Sequence, residues 1–194
     1  LPEIEEVKVD FAYASARVEL APDAARDWKA LVVGNLPREG ARGGVLMPME
    51  GGLYMCSLGG RAGDYPPADE AGFVAFAQSL PYPALGEALA NARFASRIAR
   101  MIYPANRFRH YERMQGLPAG FVPVGDALCS FNPTYGQGMT SAALQAEQLA
   151  ETLDARAPGA TLRELGPPHL ARAAEVARMP WLQANYFFND SSTT

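Results

Sequence analysis

The first stretch of the chain alternates between apolar and polar positions, which is the pattern of a half-buried β-strand. Residues 7–20 follow this two-residue period. The apolar residues that fall on one side of the strand are Val7, Val9, Phe11 and Tyr13. Three more apolar runs follow, at 28–36, 43–49 and 53–58. A Gly-Gly pair separates the last two runs and indicates a hairpin. Residues 1–60 therefore predict a mainly antiparallel sheet.

Farther along the chain the apolar spacing lengthens to three or four residues, which predicts helices. The first of these helices follows Asp69, a suitable N-cap, and turns Phe73 and Phe76 to one side. The later segments that we expect to be helical are 83–92, 140–153, 162–165 and 169–179, with breaks at Pro167, Pro168 and Pro180. The later segments that we expect to be strands are 97–103 and 106–112, on either side of Pro104, and 120–124.

This order of segments predicts an α+β fold. We expect a mixed, mainly antiparallel sheet with helices on one face, followed by a strand and a helix that belong to a second structural part. The divisions that we expect along the chain are 1–115, 116–157 and 158–194.

Residues 125–139, which include three glycines and one proline, form a loop between the last expected strand and the helix that follows it. Asp126 stands where that strand should end, and a strand, a polar loop and a helix start in this order build ligand sites in α/β sheets. The free N–H groups of a first helical turn carry about half a positive charge. Gly136 and Gly138 allow a flat ligand to approach the backbone.

The loop reads Gly-Asp-Ala, then Pro after five residues, then Gly-Gln-Gly-Met. This sequence resembles the second flavin motif of the FAD-dependent monooxygenases of the aromatic hydroxylase and epoxidase type. The resemblance implies that Asp126 binds the ribityl chain of FAD and that the loop and helix start lie against the pyrimidine edge of the flavin. The residues that it assigns to cofactor binding are Gly125, Asp126, Pro133, Gly136, Gln137, Gly138 and Met139. Cys129 stands where many aromatic hydroxylases carry a histidine, which leaves the subfamily open.

The resemblance also implies an activity. Such an enzyme reduces FAD with NAD(P)H and transfers one oxygen atom from O₂ to an organic substrate, and it requires no catalytic acid or base from this part of the chain. The apolar sheet, which has no basic patch, favours an apolar or aromatic small molecule as substrate. A flavin-dependent dehydrogenase or reductase of the same fold is the alternative. Residues 1–115 would then be a substrate-binding sheet domain, 116–157 the end of an FAD-binding domain, and 158–194 truncated carboxyl-terminal helices.

Two other cofactor motifs of that family are absent from the sequence. There is no G-x-G-x-x-G run for the pyrophosphate, and no aspartate is followed by glycine. The resemblance therefore covers about half of a family member. The chain could be a fragment, could assemble with a separate chain that carries the Rossmann half, or could be a truncated, non-catalytic binding protein. We expect the chain alone to be inactive and its uncovered apolar surface to favour self-association.

The composition limits the expected partners and the expected cellular compartment. The net charge is −4 and no basic block occurs, which argues against a nucleic-acid partner. Two cysteines in 194 residues suit a reducing cytoplasm better than a disulfide scaffold. No apolar run approaches the roughly eighteen residues of a membrane span.

Two other groups of residues are candidates for chemistry. Arg61, Asp64 and Tyr65 lie in an expected loop at 59–67, where a role toward substrate and a purely structural role are both open. Residues 107–113 are rich in arginine, which fits either a solvated strand or contacts with a cofactor. The two histidines are too poorly supported by neighbouring ligands to suggest a metal site.

Overall fold

The structure, a computed structural model, describes residues 1–22, 27–34, 42–157, 159, 161 and 165–189. The strands are β1 (Glu3–Glu19), β2 (Leu31–Val33), β3 (Gly43–Pro48), β4 (Tyr54–Arg61), β5 (Arg93–Phe94), β6 (Ala99–His110) and β7 (Cys129–Ser130). The α-helices of these residues are α1 (Glu70–Gln78), α2 (Ala84–Leu89), α3 (Gln137–Asp154) and α4 (Gly166–Asn189). The seven strands form one sheet in the order β2-β3-β4-β1-β6-β7, and β5 pairs with β1 beside that path.

The pairings whose register the structure gives are all antiparallel. Together with the helices, they confirm the expected α+β fold with a mainly antiparallel sheet. Contacts within the chain divide it into two compact units, residues 10–104 and residues 1–9 with 105–194. None of the helices in the described part of the chain is long and apolar enough to cross a membrane.

The unit of residues 10–104 has its core between the sheet and the two short helices α1 and α2. The alternation of β1 sends every second residue to this core. The largest buried core residues are Val18, Leu46, Leu58, Phe73, Leu85 and Leu89. The side chain of Asp69 accepts a hydrogen bond from the Gly72 N–H at 2.8 Å, which confirms the expected N-cap of α1.

The unit of residues 1–9 and 105–194 has a smaller apolar core. Its members come from β6, the β7 region and α4, and they are Phe108, Leu128, Cys129, Phe131, Ala173, Ala177, Trp181 and Ala184. The ring of Trp181 meets Phe108 edge to face, with centroids 5.7 Å apart. The helix expected at 140–153 is confirmed as the longer α3.

Several expected boundaries are wrong, and proline is the reason for most of them. The strand pair expected around Pro104 is the single strand β6, because an exposed proline can stay in a strand where its missing N–H is not needed. Pro167 and Pro168 lie in the first turn of α4, where no N–H is required, and Pro180 lies inside that helix. Residues 162–164 lie outside the described residues.

The strand expected at 120–124 is also wrong. Val124 has an extended backbone (φ −135°, ψ 161°), yet the segment forms no strand. An extended backbone becomes a β-strand only when a neighbouring strand pairs with it. The loop expected at 59–67 also begins later than expected. Strand β4 continues to Arg61 because it pairs with β1 as far as Phe11.

The close approach of two chain segments at Gly60 gives a stability test. An added Cβ would lie 2.0 Å from the carbonyl oxygen of Asp64. We expect Gly60→Ala to lower the free energy of unfolding by about 1–3 kcal/mol, the usual cost of overpacking. Gly138→Ala is the matched control, because nothing lies within 4 Å of its added Cβ, and alanine inside a helix should stabilise by about 0.5–1 kcal/mol. Urea unfolding measures the free energy of unfolding of both variants. A Gly60→Ala protein as stable as the wild type would contradict the structure.

Candidate functional site

The loop before α3 begins with a short 3₁₀ turn, Gly125–Ala127, that carries the acidic residue of the motif. Asp126 is exposed, and its backbone carbonyl accepts a hydrogen bond from Nη1 of Arg109 at 3.1 Å. The carbonyl of Gly125 accepts from the Leu128 N–H at 3.0 Å, which closes the turn. The Asp126 carboxylate is therefore presented to solvent from a backbone that is fixed on both sides.

A buried glutamine ties this turn to α3. Gln145 is fully buried, and its Oε1 accepts a hydrogen bond from the Gly125 N–H at 2.8 Å. Its Nε2 donates to Oγ of Ser141, one helical turn earlier, at 3.0 Å. An amide side chain that is satisfied at both ends holds its partners in one arrangement. The position of Asp126 relative to α3 is thus set by Gln145.

Three buried asparagines hold the middle of the loop. The Asn132 N–H donates to Oδ1 of Asn106 in β6 at 2.7 Å, and Nδ2 of Asn106 donates to Oδ1 of Asn185 in α4 at 2.7 Å. Nδ2 of Asn185 in turn donates to the Trp181 carbonyl at 2.9 Å. All three asparagines are at most 2% exposed. The hydrogen bonds of this asparagine network join a strand, the loop and a helix without any charged group.

The end of the loop leaves the start of α3 open. Oδ1 of Asn132 accepts from the Thr134 N–H at 2.9 Å and starts the turn Pro133–Tyr135. Gly136 then adopts a left-handed conformation (φ 66°, ψ 16°) at the N-cap of α3, a conformation that favours glycine. No side chain caps this helix end and its first turn contains no acidic residue. The N–H groups of that turn and the positive end of the helix dipole are available to a ligand.

The first turn of α3 also offers space. An added Cβ at Gly136 or Gly138 would meet nothing within 4 Å. Met139 is 86% exposed, and Nε2 of Gln137 donates to Oε1 of Gln183 in α4 at 3.2 Å. The structure thus brings Gly136, Gln137, Gly138 and Met139 together at one helix end, places Pro133 in the turn before it, and holds Gly125 and Asp126 to α3 through Gln145. Their binding of a cofactor stays a prediction.

The polarity of α3 is the reverse of that of an ordinary surface helix. Its buried residues are Ser141, Gln145 and Gln148, all polar. It leaves six apolar residues exposed, and all of them except Leu144 are spaced by three or four along the helix: Met139, Ala143, Ala146, Ala150 and Leu153. Surface helices normally bury such a stripe. We call these five residues the α3 stripe.

The other sequence candidates have structural partners. Both carboxylate oxygens of Asp64 accept from Arg42 at 2.7 Å, and this hydrogen bonding holds the pKa of Asp64 below its usual range. The hydroxyl of Tyr65 donates to Asp10, which raises the pKa of Tyr65. Near residue 110, Nδ1 of His110 lies 2.7 Å from Oε1 of Glu112. These contacts favour the structural interpretation for Asp64.

Neither cysteine of the chain is activated as a nucleophile. Burial raises the pKa of the Cys129 thiol to about 12 and that of Cys56 to about 12 as well. A thiol is a nucleophile only as the thiolate, so both side chains act as small core residues. Cys56 is fully buried.

Sequence reasoning missed the residues that hold the loop, namely Asn106, Asn185 and Gln145. The available signal was a polar amide within an otherwise apolar segment, since buried amides must be paired. For Asn106 this signal was hidden by the expected break at Pro104, and Gln145 was predicted only as part of the helix at 140–153.

The chain has relatives of known structure and one close curated relative. Protein Rv3254 of Mycobacterium tuberculosis is 36% identical over 155 residues, which is 80% of this chain and 32% of that protein. The Klebsiella pneumoniae R204Q HpxO complexed with FAD matches with a TM-score of 0.65 and 16% identity over 96% of this chain and 46% of that one. The flavin-dependent brominase Bmp2 matches with a TM-score of 0.63 and 12% identity over 99% of this chain and 49% of that one. No model of a protein family matches.

These comparisons confirm the resemblance to flavin-dependent enzymes at the level of the fold. The chain spans about a third of the length of its curated relative and under half of the length of the two structural relatives. These matches do not show what the motif residues bind.

The asparagine network gives a test of how the loop is held. Asn106→Ala would leave the Asn132 N–H and the Asn185 Oδ1 buried without their partner. We expect it to lower the free energy of unfolding by about 2–4 kcal/mol, since each buried unpaired group costs about 1–3 kcal/mol. Combining it with Asn185→Ala should give a coupling energy of about 0.5–3 kcal/mol, as neighbours in one network do.

Gln183→Ala is the control for the asparagine network, because Gln183 is an exposed amide on the same helix as Asn185. It should change the free energy of unfolding by no more than about 0.5 kcal/mol. Chemical denaturation gives the free energy of unfolding of the wild type, the two single asparagine variants, the double variant and Gln183→Ala. Additive effects of the Asn106 and Asn185 substitutions would contradict the network.

Proposed function

We propose that this chain is the carboxyl-terminal part of an FAD-dependent monooxygenase, in which residues 125–139 bind the flavin and NAD(P)H supplies the electrons. The observation that carries the proposal is the open start of α3, with its left-handed Gly136, its free space at Gly138 and no capping side chain. A structural relative contains FAD, and another is a flavin-dependent enzyme, which supports the same class.

The chemistry of this helix end suits the ring of a flavin. The first turn of α3 offers N–H donors and a partial positive charge, and it offers no carboxylate that would repel electron-rich oxygens. The pyrimidine edge of a flavin carries carbonyl oxygens that accept such hydrogen bonds. Exposed Asp126 can accept hydrogen bonds from the hydroxyls of the ribityl chain. The motif thus provides separate contacts for the flavin ring and for the ribityl chain of FAD.

The cofactor would be bound mainly by protein outside these 194 residues. The described part of the chain has no glycine-rich pyrophosphate loop, and the sequence contains no such run. The exposed α3 stripe supports a partner domain, because a stripe of small and apolar residues is normally covered. We assign that cover to the Rossmann half, present in the same polypeptide or as a second chain.

Within such an assembly the flavin, once reduced, supplies the oxygen-transfer chemistry. The residues of this chain bind and orient: Asp126 and the first turn of α3 position the cofactor, and the sheet of residues 10–104 contributes an apolar surface for the organic substrate. No side chain of the motif is required as an acid or base. The substrate that fits this chain best is an apolar or aromatic small molecule.

The isolated chain allows a direct test by NMR. A carboxylate, a few N–H groups and a helix dipole contribute about 0.5–3 kcal/mol each, against an association cost of at least about 4 kcal/mol. The balance predicts a Kd for FAD of about 1 mM or weaker. We expect a titration with FAD to shift the amide signals of Gly125, Asp126 and Gly136–Met139, and we expect Asp126→Ala to weaken binding by about tenfold or more, the scale of hydrogen bonds to a charged group.

Asp154→Ala is the matched control for the FAD titration, because Asp154 is an exposed aspartate at the opposite end of α3. It should leave the FAD-induced shifts unchanged. Equal affinity of Asp126→Ala and wild type would contradict the role of Asp126. The absence of any shift at residues 125–139 at several millimolar FAD would favour a binding protein that does not use flavin.

A further inference from the structure

We propose that the exposed side of the second half of α4 binds a second copy of this chain, with the two α4 helices packed antiparallel about a two-fold axis. The residues that form this surface are Met179, Leu182, Gln183 and Tyr186, which we call the α4 face. The proposal goes beyond the flavin function and does not depend on it. It uses only the unit of residues 1–9 and 105–194.

In its second half α4 is apolar on two sides. One side packs into the core of its unit, and its members there are Ala173, Ala177, Trp181 and Ala184. On another side Met179, Leu182 and Tyr186 are 69%, 53% and 69% exposed. Their spacing of three and four residues places these side chains together along the helix. The helix thus leaves an apolar surface in solvent besides the one that it buries.

The exposed positions of α4 change in character at Met179. The positions before it include Arg172, Glu175 and Arg178, and Nη1 of Arg178 lies 3.7 Å from Oε2 of Glu175. Residues 179–186 contain no charged residue. Single exposed apolar side chains are ordinary on a protein surface, but a group of them on one side of a helix is typical of a contact surface. The first half of α4 is therefore suited to water and the second half to a partner.

The order of residues along the α4 face fits a second α4 that runs in the opposite direction. With a two-fold axis between positions 180 and 181, Met179 of one copy lies opposite Leu182 of the other, and Leu182 lies opposite Met179. A two-fold interface needs a surface that is complementary to itself, and this pairing meets the requirement with two identical contacts. Methionine adapts its shape to an irregular neighbour, which favours such a contact.

The charged residues beside the α4 face select the antiparallel arrangement. About the same axis Glu175 lies opposite Tyr186, and Arg178 lies opposite Gln183, so no charge faces a charge of the same sign. A parallel pair of helices would instead place Arg178 against Arg178 and Glu175 against Glu175, which repel each other. Apolar contacts at the centre with polar residues outside them are also the usual arrangement of a protein interface.

The α4 face borders the start of α3. Nε2 of Gln137, the first residue of α3, donates to Oε1 of Gln183 at 3.2 Å. A second copy bound to α4 therefore lies beside the residues that we propose to bind the flavin. One pair of helices buries less than the roughly 1,200–2,000 Å² of a stable complex, so we expect a reversible dimer in the micromolar range.

Sedimentation equilibrium of the 194-residue chain without FAD tests this surface. We expect a reversible equilibrium between monomer and dimer. Leu182→Lys should raise the dissociation constant of the dimer by about tenfold or more, because it buries an unpaired ammonium group between the two copies. Leu153→Lys is the matched control, since Leu153 is an exposed leucine of the α3 stripe, and it should leave the dissociation constant unchanged. Thermal unfolding verifies that both variants fold.

Disulfide cross-linking tests the antiparallel register. We expect a mixture of the Met179→Cys and Leu182→Cys proteins to form a mixed disulfide dimer faster than either protein forms a disulfide with itself, because only the mixed pair of positions lies directly opposite. Cys56 and Cys129 are buried, so they do not compete in this reaction.

A wild-type chain that stays monomeric at the concentrations of NMR spectroscopy would overturn the inference. The same holds for a dimer that Leu153→Lys weakens and Leu182→Lys does not, and for disulfides that form equally fast within each single protein. Because FAD is absent from these measurements, a failure of the flavin proposal leaves their result unchanged.

Discussion

The hydrogen bonds of the buried asparagine network are the constraint on which the candidate site depends. Asn106, Asn132 and Asn185 are almost fully buried and join β6, the motif loop and α4. A loop that contains only short turns and a two-residue strand has little order of its own, so its shape must come from such contacts. Because the partners are neutral amides, they fix the backbone without placing a charge beside the start of α3. The same network therefore gives the loop its shape and keeps the helix end free for a ligand.

The reversed polarity of α3 follows from this arrangement. Its buried face carries Ser141, Gln145 and Gln148, and Gln145 holds the turn that presents Asp126. With its polar residues turned inward, α3 leaves the α3 stripe outward, where a further domain can cover it. The buried side of α3 holds the loop, and its exposed side is available to a further domain. This agrees with a chain that spans under half of the length of its structural relatives.

The sequence was sufficient for the elements whose pattern is local. The alternation in β1, the Gly-Gly hairpin between β3 and β4, the Asp69 N-cap and the helix α3 were all predicted and are all present. The sequence was insufficient where the structure of a segment depends on contacts with residues that are distant along the chain. Residues 120–124 have strand composition but no strand to pair with, and Pro104 was expected to break a strand that its surroundings allow to continue. The role of Gln145 depends on what lies opposite it in space, which no spacing along the chain reveals.

The approach of a flavin to the backbone at Gly138 is the central claim, and one substitution tests it most directly. Gly138→Val places a branched side chain at the start of α3, where an added Cβ would meet nothing within 4 Å. The measurement is the FAD-induced shift of the amide signals of Gly136–Met139, with Gly138→Ala as the smaller matched change and thermal unfolding as the check on the fold. The account predicts that Gly138→Val folds normally and loses the shifts, whereas Gly138→Ala keeps most of them. Unchanged shifts in folded Gly138→Val would show that the backbone of α3 does not face the cofactor.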